Sequence, residues 1–233
     1  THIVTKIGSW GRRTGEGLPK NVDTVRLCLQ ASLYRLQTDY VDAVLCHEGD
    51  IEDPTVYLEA FEQLKEKGCL RVYGISTNDF EVLQRFNANN TCSIVEFDYS
   101  LLNRKAEANL LPYCQEHGIA VLVRGPLAQG LLSGKYRADT VFTDTIRAKW
   151  HKNEAKQAKF NRDIQTVAAI KKALQPNEEM ATTALRYVIS HPAKPVAIPG
   201  AKSPEQAVLN AQAGDELLSP EVKEQILQHM YPV

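Results

Sequence analysis

The feature that most limits what this chain can become is a rhythm: short β-branched or apolar runs alternate with longer helical patterns from one end to the other. Six runs read as strands: "HIVTKI" (2–7), "YVDAVLCH" (40–47), "RVYGIS" (71–76), "SIVEFDY" (93–99), "AVLVRG" (120–125) and "PVAIPG" (195–200). Strands separated by helix-length segments do not pair as tight hairpins. Each connection crosses over a sheet face instead, which makes the sheet parallel and the class α/β.

The helical segments carry their own punctuation. Asn21 stands ahead of "VDTVRLCLQASLYRLQ", where Val22, Val25, Leu29, Leu33 and Leu36 recur at three- or four-residue steps and make one apolar stripe. "PTVYLEAFEQLKEKG" opens on proline and stops at Gly68. Ser203 and Ser219 each precede a proline, the order that a capped helix start favours. From 136 to 194 the rhythm breaks. Two helical patterns, 154–175 and 178–191, follow a polar loop with no strand between them, a long excursion between the last two strands and a candidate lid. The whole of 1–233 is expected to form one domain.

With 233 residues, 43% hydrophobic and 24% charged, the chain is long enough to bury a substantial core. Its 27 basic and 28 acidic residues alternate in sign rather than cluster, which argues against a nucleic-acid partner. No run approaches the roughly 18 apolar residues of a membrane span, and no signal peptide is recognisable, so no membrane partner and a cytoplasmic location are expected. Cys28, Cys46, Cys69, Cys92 and Cys114 form neither CxxC nor a metal spacing and read as reduced, buried thiols.

In a β/α barrel the chemistry gathers at the C-terminal ends of the strands. Those ends hold Lys6, His47, Ser76 with Asn78, Glu96 with Tyr99, Arg124, and Pro199 with Gly200. Lys6 and His47 end consecutive strands and would be neighbours. A lysine there either faces solvent or, if buried, must be paired or lose its proton. A histidine after "DAVLC" is either hydrogen-bonded in a core or catalytic. "CHEGD" followed by "EDP" collects His47, Glu48, Asp50 and Glu52 in the manner of a divalent-metal site, yet the second histidine on a neighbouring strand is missing. A solvated acidic loop accounts for them better.

"IVTKIG", "SLYRLQTDYVDAVLCH", "GISTNDF", "EFDYSLLNR", "GIAVLVRGPLAQGLLSGKY" and "AIPGAKSPEQAVLNAQA" follow one another in an order and spacing that resembles the aldo-keto reductase family over nearly the whole chain. The resemblance implies a (β/α)8 TIM barrel that binds NADP(H) across the strand ends. It also implies hydride transfer to the carbonyl carbon of a small aldehyde or ketone while an acid protonates the oxygen. The family uses an Asp, Tyr, Lys, His tetrad. Lys6 resembles the lysine, whose charge lowers the pKa of the proton-donating tyrosine, and His47 resembles the histidine that orients the carbonyl. By this resemblance "THIVTKIG" is the family's third strand. The chain is then expected to be an incomplete barrel of strands three to eight, two N-terminal β/α units short. The tetrad Asp and Tyr belong upstream, and Tyr99 lies on the family's sixth strand. The chain as given is therefore expected to lack activity, and its open edge to favour self-association.

The resemblance also implies a cofactor site. Ser76 and Asn78 resemble the pair that holds the nicotinamide carboxamide, with Thr77 as the alternative because "GISTN" is one residue longer than "GVSN". Glu96 stands where a glutamine is usual, and an ionised carboxylate accepts hydrogen bonds without donating. Arg124 takes the place of a stacking aromatic, a role a planar guanidinium can also fill. Gly125, Leu127 and Gln129 resemble the loop over the pyrophosphate, with Lys135 reaching a phosphate. Gly200, Lys202, Ser203, Gln206 and Asn210 resemble the adenosine 2′-phosphate end, where a helix N-terminus offers amides to an anion. Lys202 favours NADP over NAD, and Leu209 replaces an acidic residue. No metal is implied. The alternative function is a non-catalytic NADP(H)-binding regulatory subunit, since the same cofactor residues serve both.

Overall fold

The computed structural model describes residues 1–9, 17–175 and 178–230, so that 176 and 177 of the long excursion lie outside the described residues. The chain forms two compact units, Thr1–Phe97 with Ala108–Leu122, and Asp98–Glu107 with Val123–Val233.

The first unit contains β1 (Val4–Ile7), α1 (Val22–Leu36), β2 (Val41–Cys46), α2 (Thr55–Glu66), β3 (Leu70–Ser76), α3 (Phe80–Phe86), β4 (Ile94–Asp98) and α4 (Leu110–His117), and β5 (Ala120–Arg124) begins in it. Neighbours in sequence are neighbours in a parallel sheet. Lys6 lies opposite Leu45, Leu45 opposite Gly74, and Gly74 opposite Ile94. The Ala120 amide donates to the Ser93 carbonyl at 3.0 Å, which starts β5 beside β4.

Alternation along these strands makes two buried faces. One packs Ala43, Leu45 and Ile94 with Val72 and Leu122. The other buries Val44, Tyr73, Ile75 and Val95, with Phe61 of α2 meeting Tyr73 at 5.5 Å. Burial on both faces is why the strands read as near-continuous apolar runs. Val25 and Leu29 of α1 are fully buried, each side chain adding roughly 1.5–3 kcal/mol of transfer free energy. Asn21 accepts from the Thr24 amide at 2.9 Å and starts that helix as its sequence position predicts. At Gly74 the strands crowd: a Cβ there would lie 1.5 Å from the Ile94 carbonyl oxygen.

The second unit completes β5 and adds α5 (Glu154–Ala173), α6 (Met180–Ile189), β6 (Val196–Ala197), α7 (Pro204–Gln212) and α8 (Pro220–Leu227). The Ile198 amide donates to the Val123 carbonyl at 3.0 Å. The strand expected over 195–200 is only two residues long, because Pro195 and Pro199 have no amide hydrogen to give to a ladder. Around α5, Leu131, Phe142, Phe160 and Ile164 form a core, with Tyr136 and Trp150 meeting Phe142 edge-on at 5.0 and 5.1 Å. A polar hub stands apart from it. Glu107 accepts the hydroxyls of Tyr99 at 2.7 Å and Tyr187 at 2.6 Å and pairs with Arg104 at 2.9 Å. Among the described residues no helix is long and apolar enough to cross a membrane.

Candidate active site

Partners in a parallel sheet point to the same face, so register decides which strand-end residues gather. In the first unit Lys6 is level with Leu45, Gly74 and Ile94. Ser76 and Glu96 face each other two residues further on, at the C-terminal end of that face. His47 follows β2 two residues after Leu45. Its amide donates to the Ile7 carbonyl at 2.8 Å, and its carbonyl accepts the Ser9 hydroxyl at 2.6 Å.

The four methylenes of Lys6 carry its ammonium upward to Glu96. Nζ donates to Oε1 at 2.5 Å, and Ser76 Oγ donates to the same oxygen at 3.2 Å. The Glu96 side chain is 3% exposed and that of Lys6 32%. Lys6 is thus neither free in solvent nor buried alone. It answers a buried carboxylate, which could not remain ionised there cheaply without a cation or several donors.

Ser76 and Thr77 differ in their hydrogen bonds. Thr77 is buried, donates to the Gly49 carbonyl at 2.5 Å and accepts the Asp79 amide at 3.0 Å, so its hydroxyl ties the loop after β2 to the start of α3. Ser76 is the residue that meets Glu96, and Asn78 is exposed beside it. The acidic loop after His47 has its own partners, since Glu48 accepts the Tyr57 hydroxyl at 2.7 Å and pairs with Lys20 at 2.5 Å. Burial first, and Glu48 second, push the Tyr57 phenol well above its ordinary range and keep it a donor.

In the second unit Arg124 ends β5 exposed to solvent. Gly125 follows at φ +65°, where a Cβ would lie 2.6 Å from Asp98 Oδ1, so both the backbone and the space ask for glycine. Next comes a left-handed turn: Ala128, Gln129 and Gly130 have φ of +46°, +55° and +96°. It is closed by the Ala128 amide to the Gly125 carbonyl at 2.8 Å and the Gly130 amide to the Leu127 carbonyl at 2.9 Å. The two non-glycine residues each cost about 1 kcal/mol or more in that conformation. Leu131 and Leu132, buried behind the turn, hold it, and Lys135 is exposed beyond it.

At α7 the Ser203 hydroxyl accepts the Gln206 amide at 3.3 Å, while Gln206 Oε1 accepts the Lys202 amide at 2.8 Å, a variant of the capping box. Asn210 donates to the Gly200 carbonyl at 3.5 Å. These contacts shape the turn and leave the exposed Lys202 side chain at its rim. Nothing lies within 4 Å of a Cβ built on Gly200, so packing does not require glycine there. Sequence reasoning missed the Lys6–Glu96 pair and the Glu107 hub. For the first a signal existed, opposite charges at the ends of two otherwise apolar strands. For the second there was none.

The chain is similar to known proteins in both sequence and fold. The sequence model of the Aldo/keto reductase family matches residues 2–230. "Uncharacterized oxidoreductase YqkF" of Bacillus subtilis is 32% identical over 202 residues, 85% of this chain and 63% of its own length. The holo form of the aldo-keto reductase AKR11C1 from Bacillus halodurans superposes with a TM-score of 0.78 at 29% identity, covering 98% of this chain and 72% of that one. An aldo-keto reductase from Klebsiella pneumoniae in complex with NADPH gives a TM-score of 0.67 at 31% identity over 97% of this chain and 68% of its own. The match begins at residue 2, so it lends no support to the expectation of a chain two units short.

Proposed function

This chain belongs to the aldo/keto reductase family, and on that footing we propose that its protein is an oxidoreductase that reduces small aldehydes or ketones with NADPH. The observation that carries the reading is the polar end of an otherwise apolar sheet face in the first unit, where Lys6, Ser76 and Glu96 converge in register. The Klebsiella relative bound to NADPH supports the choice of cofactor.

The residues present suit that cofactor. In the first unit Ser76 and Asn78 would hold the carboxamide; the Ser76 hydroxyl hydrogen points to Glu96, which leaves its lone pairs for a carboxamide N–H. In the second unit the side-chain-free surface at Gly125, with Leu127 and Gln129, would lie along the pyrophosphate, and Arg124 and Lys135 would supply charge. Gly200, Lys202, Ser203, Gln206 and Asn210 would take the 2′-phosphate and adenosine, with the Lys202 ammonium favouring NADP over NAD. When bound, NADPH supplies the hydride. Lys6 would lower the pKa of the family's proton-donating tyrosine, and His47 would orient the carbonyl.

The tetrad's Asp and Tyr have no counterpart among the 233 residues, so the chain taken alone is expected to bind NADPH without turning over a carbonyl. A 30% identity to a rice protein described as a probable voltage-gated potassium channel subunit beta favours a second reading, an NADP(H)-binding regulatory subunit. Copies would associate along the side of β1 that no described strand covers. Titration of the chain with NADPH by fluorescence, then NADPH oxidation with a panel of aldehydes and ketones, tests the proposal. Failure to bind NADPH would sink it, and robust turnover would remove both the inactive-chain expectation and the regulatory reading.

A further inference from the structure

Glu96 occupies a position where its charge must be explained. A glutamine there would fill the same volume and still bond Ser76, at no cost in buried charge. The carboxylate instead sits at 3% exposure with two donors, the Lys6 ammonium and the Ser76 hydroxyl, on one oxygen. Lys6 is rooted two residues below Glu96 in register and on β1, with β2 and β3 between its strand and β4. An unpaired lysine side chain at 32% exposure would turn toward water and spread over many rotamers. The 2.5 Å contact holds it in one.

We propose that Glu96 is the counter-ion and positioning residue of Lys6, fixing its ammonium at the strand ends, and not a ligand of the cofactor's carboxamide. The proposal rests on the family reading of Lys6 as the tetrad lysine. It follows that the position of positive charge in the site is set by a residue on the fourth strand of this chain, and that carboxamide recognition falls to Ser76 and Asn78.

The test uses the 233-residue chain with competitive acetylation by acetic anhydride, read lysine by lysine by mass spectrometry, alongside NADPH titration. In the native chain Lys6 should be acetylated more slowly than the exposed Lys135 and Lys202. In Glu96→Gln its rate should rise about threefold or more as the ammonium loses its partner, other lysines staying unchanged. Glu96→Asp, which keeps the charge on a shorter stem, should give a smaller rise. An unchanged Lys6 rate in Glu96→Gln, or NADPH affinity weakened about tenfold in Glu96→Asp, would overturn the proposal. If Glu96→Gln does not fold, the native comparison and Glu96→Asp decide, and a native Lys6 as reactive as Lys135 would overturn it. Loss of the family reading shows separately, as a native chain that binds no NADPH whatever its Lys6 reactivity.

Discussion

Lys6 and Glu96 meet at 2.5 Å although two strands separate theirs and 90 residues separate them in sequence. Glu96 is buried and Lys6 is not, so losing the lysine is the more harmful change. Lys6→Met should destabilise the chain by about 3 kcal/mol, because it strands a buried carboxylate. Adding Glu96→Gln to it should restore a large part of that loss. Urea unfolding of the four chains as a double-mutant cycle measures this, and strictly additive costs would show no coupling.

The two glycines matched to the cofactor loops should behave differently. Gly125→Ala meets both a positive φ and Asp98 Oδ1 at 2.6 Å, and is expected to cost about 1–3 kcal/mol and to weaken NADPH binding. Gly200→Ala meets nothing within 4 Å and should change stability by less than about 0.5 kcal/mol. Thermal melts of both variants check this, and equal losses would contradict it.

Acid should unfasten the Glu107 hub. Burial by itself would raise this carboxyl's pKa, but the bonds from Arg104, Tyr187 and Tyr99 outweigh it and hold the group below the usual carboxylate range. A lowered folded pKa means stability that is complete above the unfolded value, about 4.3, and is lost as pH falls through the folded value. Melting temperatures from neutral pH to about pH 3 should therefore drop at the acid end, and Glu107→Gln should flatten that drop while costing about 2 kcal/mol at neutral pH. An acid limb unaltered in the variant would remove the hub from the account.

Burial pushes the thiols of Cys46, Cys92 and Cys114 up to about 12, whereas Cys28 and Cys69 are partly exposed. Iodoacetamide on the native chain should modify Cys28 and Cys69 alone, and all five cysteines after denaturation. Rapid native labelling of Cys46 would show that the sheet of the first unit opens readily.

If Lys202 recognises a 2′-phosphate, Lys202→Ala should weaken NADPH binding about tenfold and leave NADH binding nearly unchanged, since one charge-assisted contact is worth about 1.4 kcal/mol or more. Parallel titrations with the two nucleotides read the difference. Equal weakening of both would place Lys202 elsewhere on the cofactor or off it.

Much of the fold was legible because its causes are local. Asn21, Ser203 and Ser219 cap helices with their own side chains, and the apolar stripe of α1 needs only the period of the helix. The sixth strand came out short for an equally local reason, two prolines. Of the candidate site, the residues at the strand ends could be named one by one, since position along a strand is a one-dimensional fact.

How those residues answer one another was not legible. That Thr77 staples the loop at Gly49 while Ser76 turns to Glu96 depends on which face each takes and on what stands opposite. That Gly74 is hemmed in by the Ile94 carbonyl depends on the register of β3 against β4. The sequence by itself determined the alternating elements, their caps and the charges placed at the strand ends. Only the tertiary structure decided that the positive charge of Lys6 belongs to Glu96, because an ion pair forms between neighbours in space, and sheet register sets that neighbourhood over distances the sequence does not record.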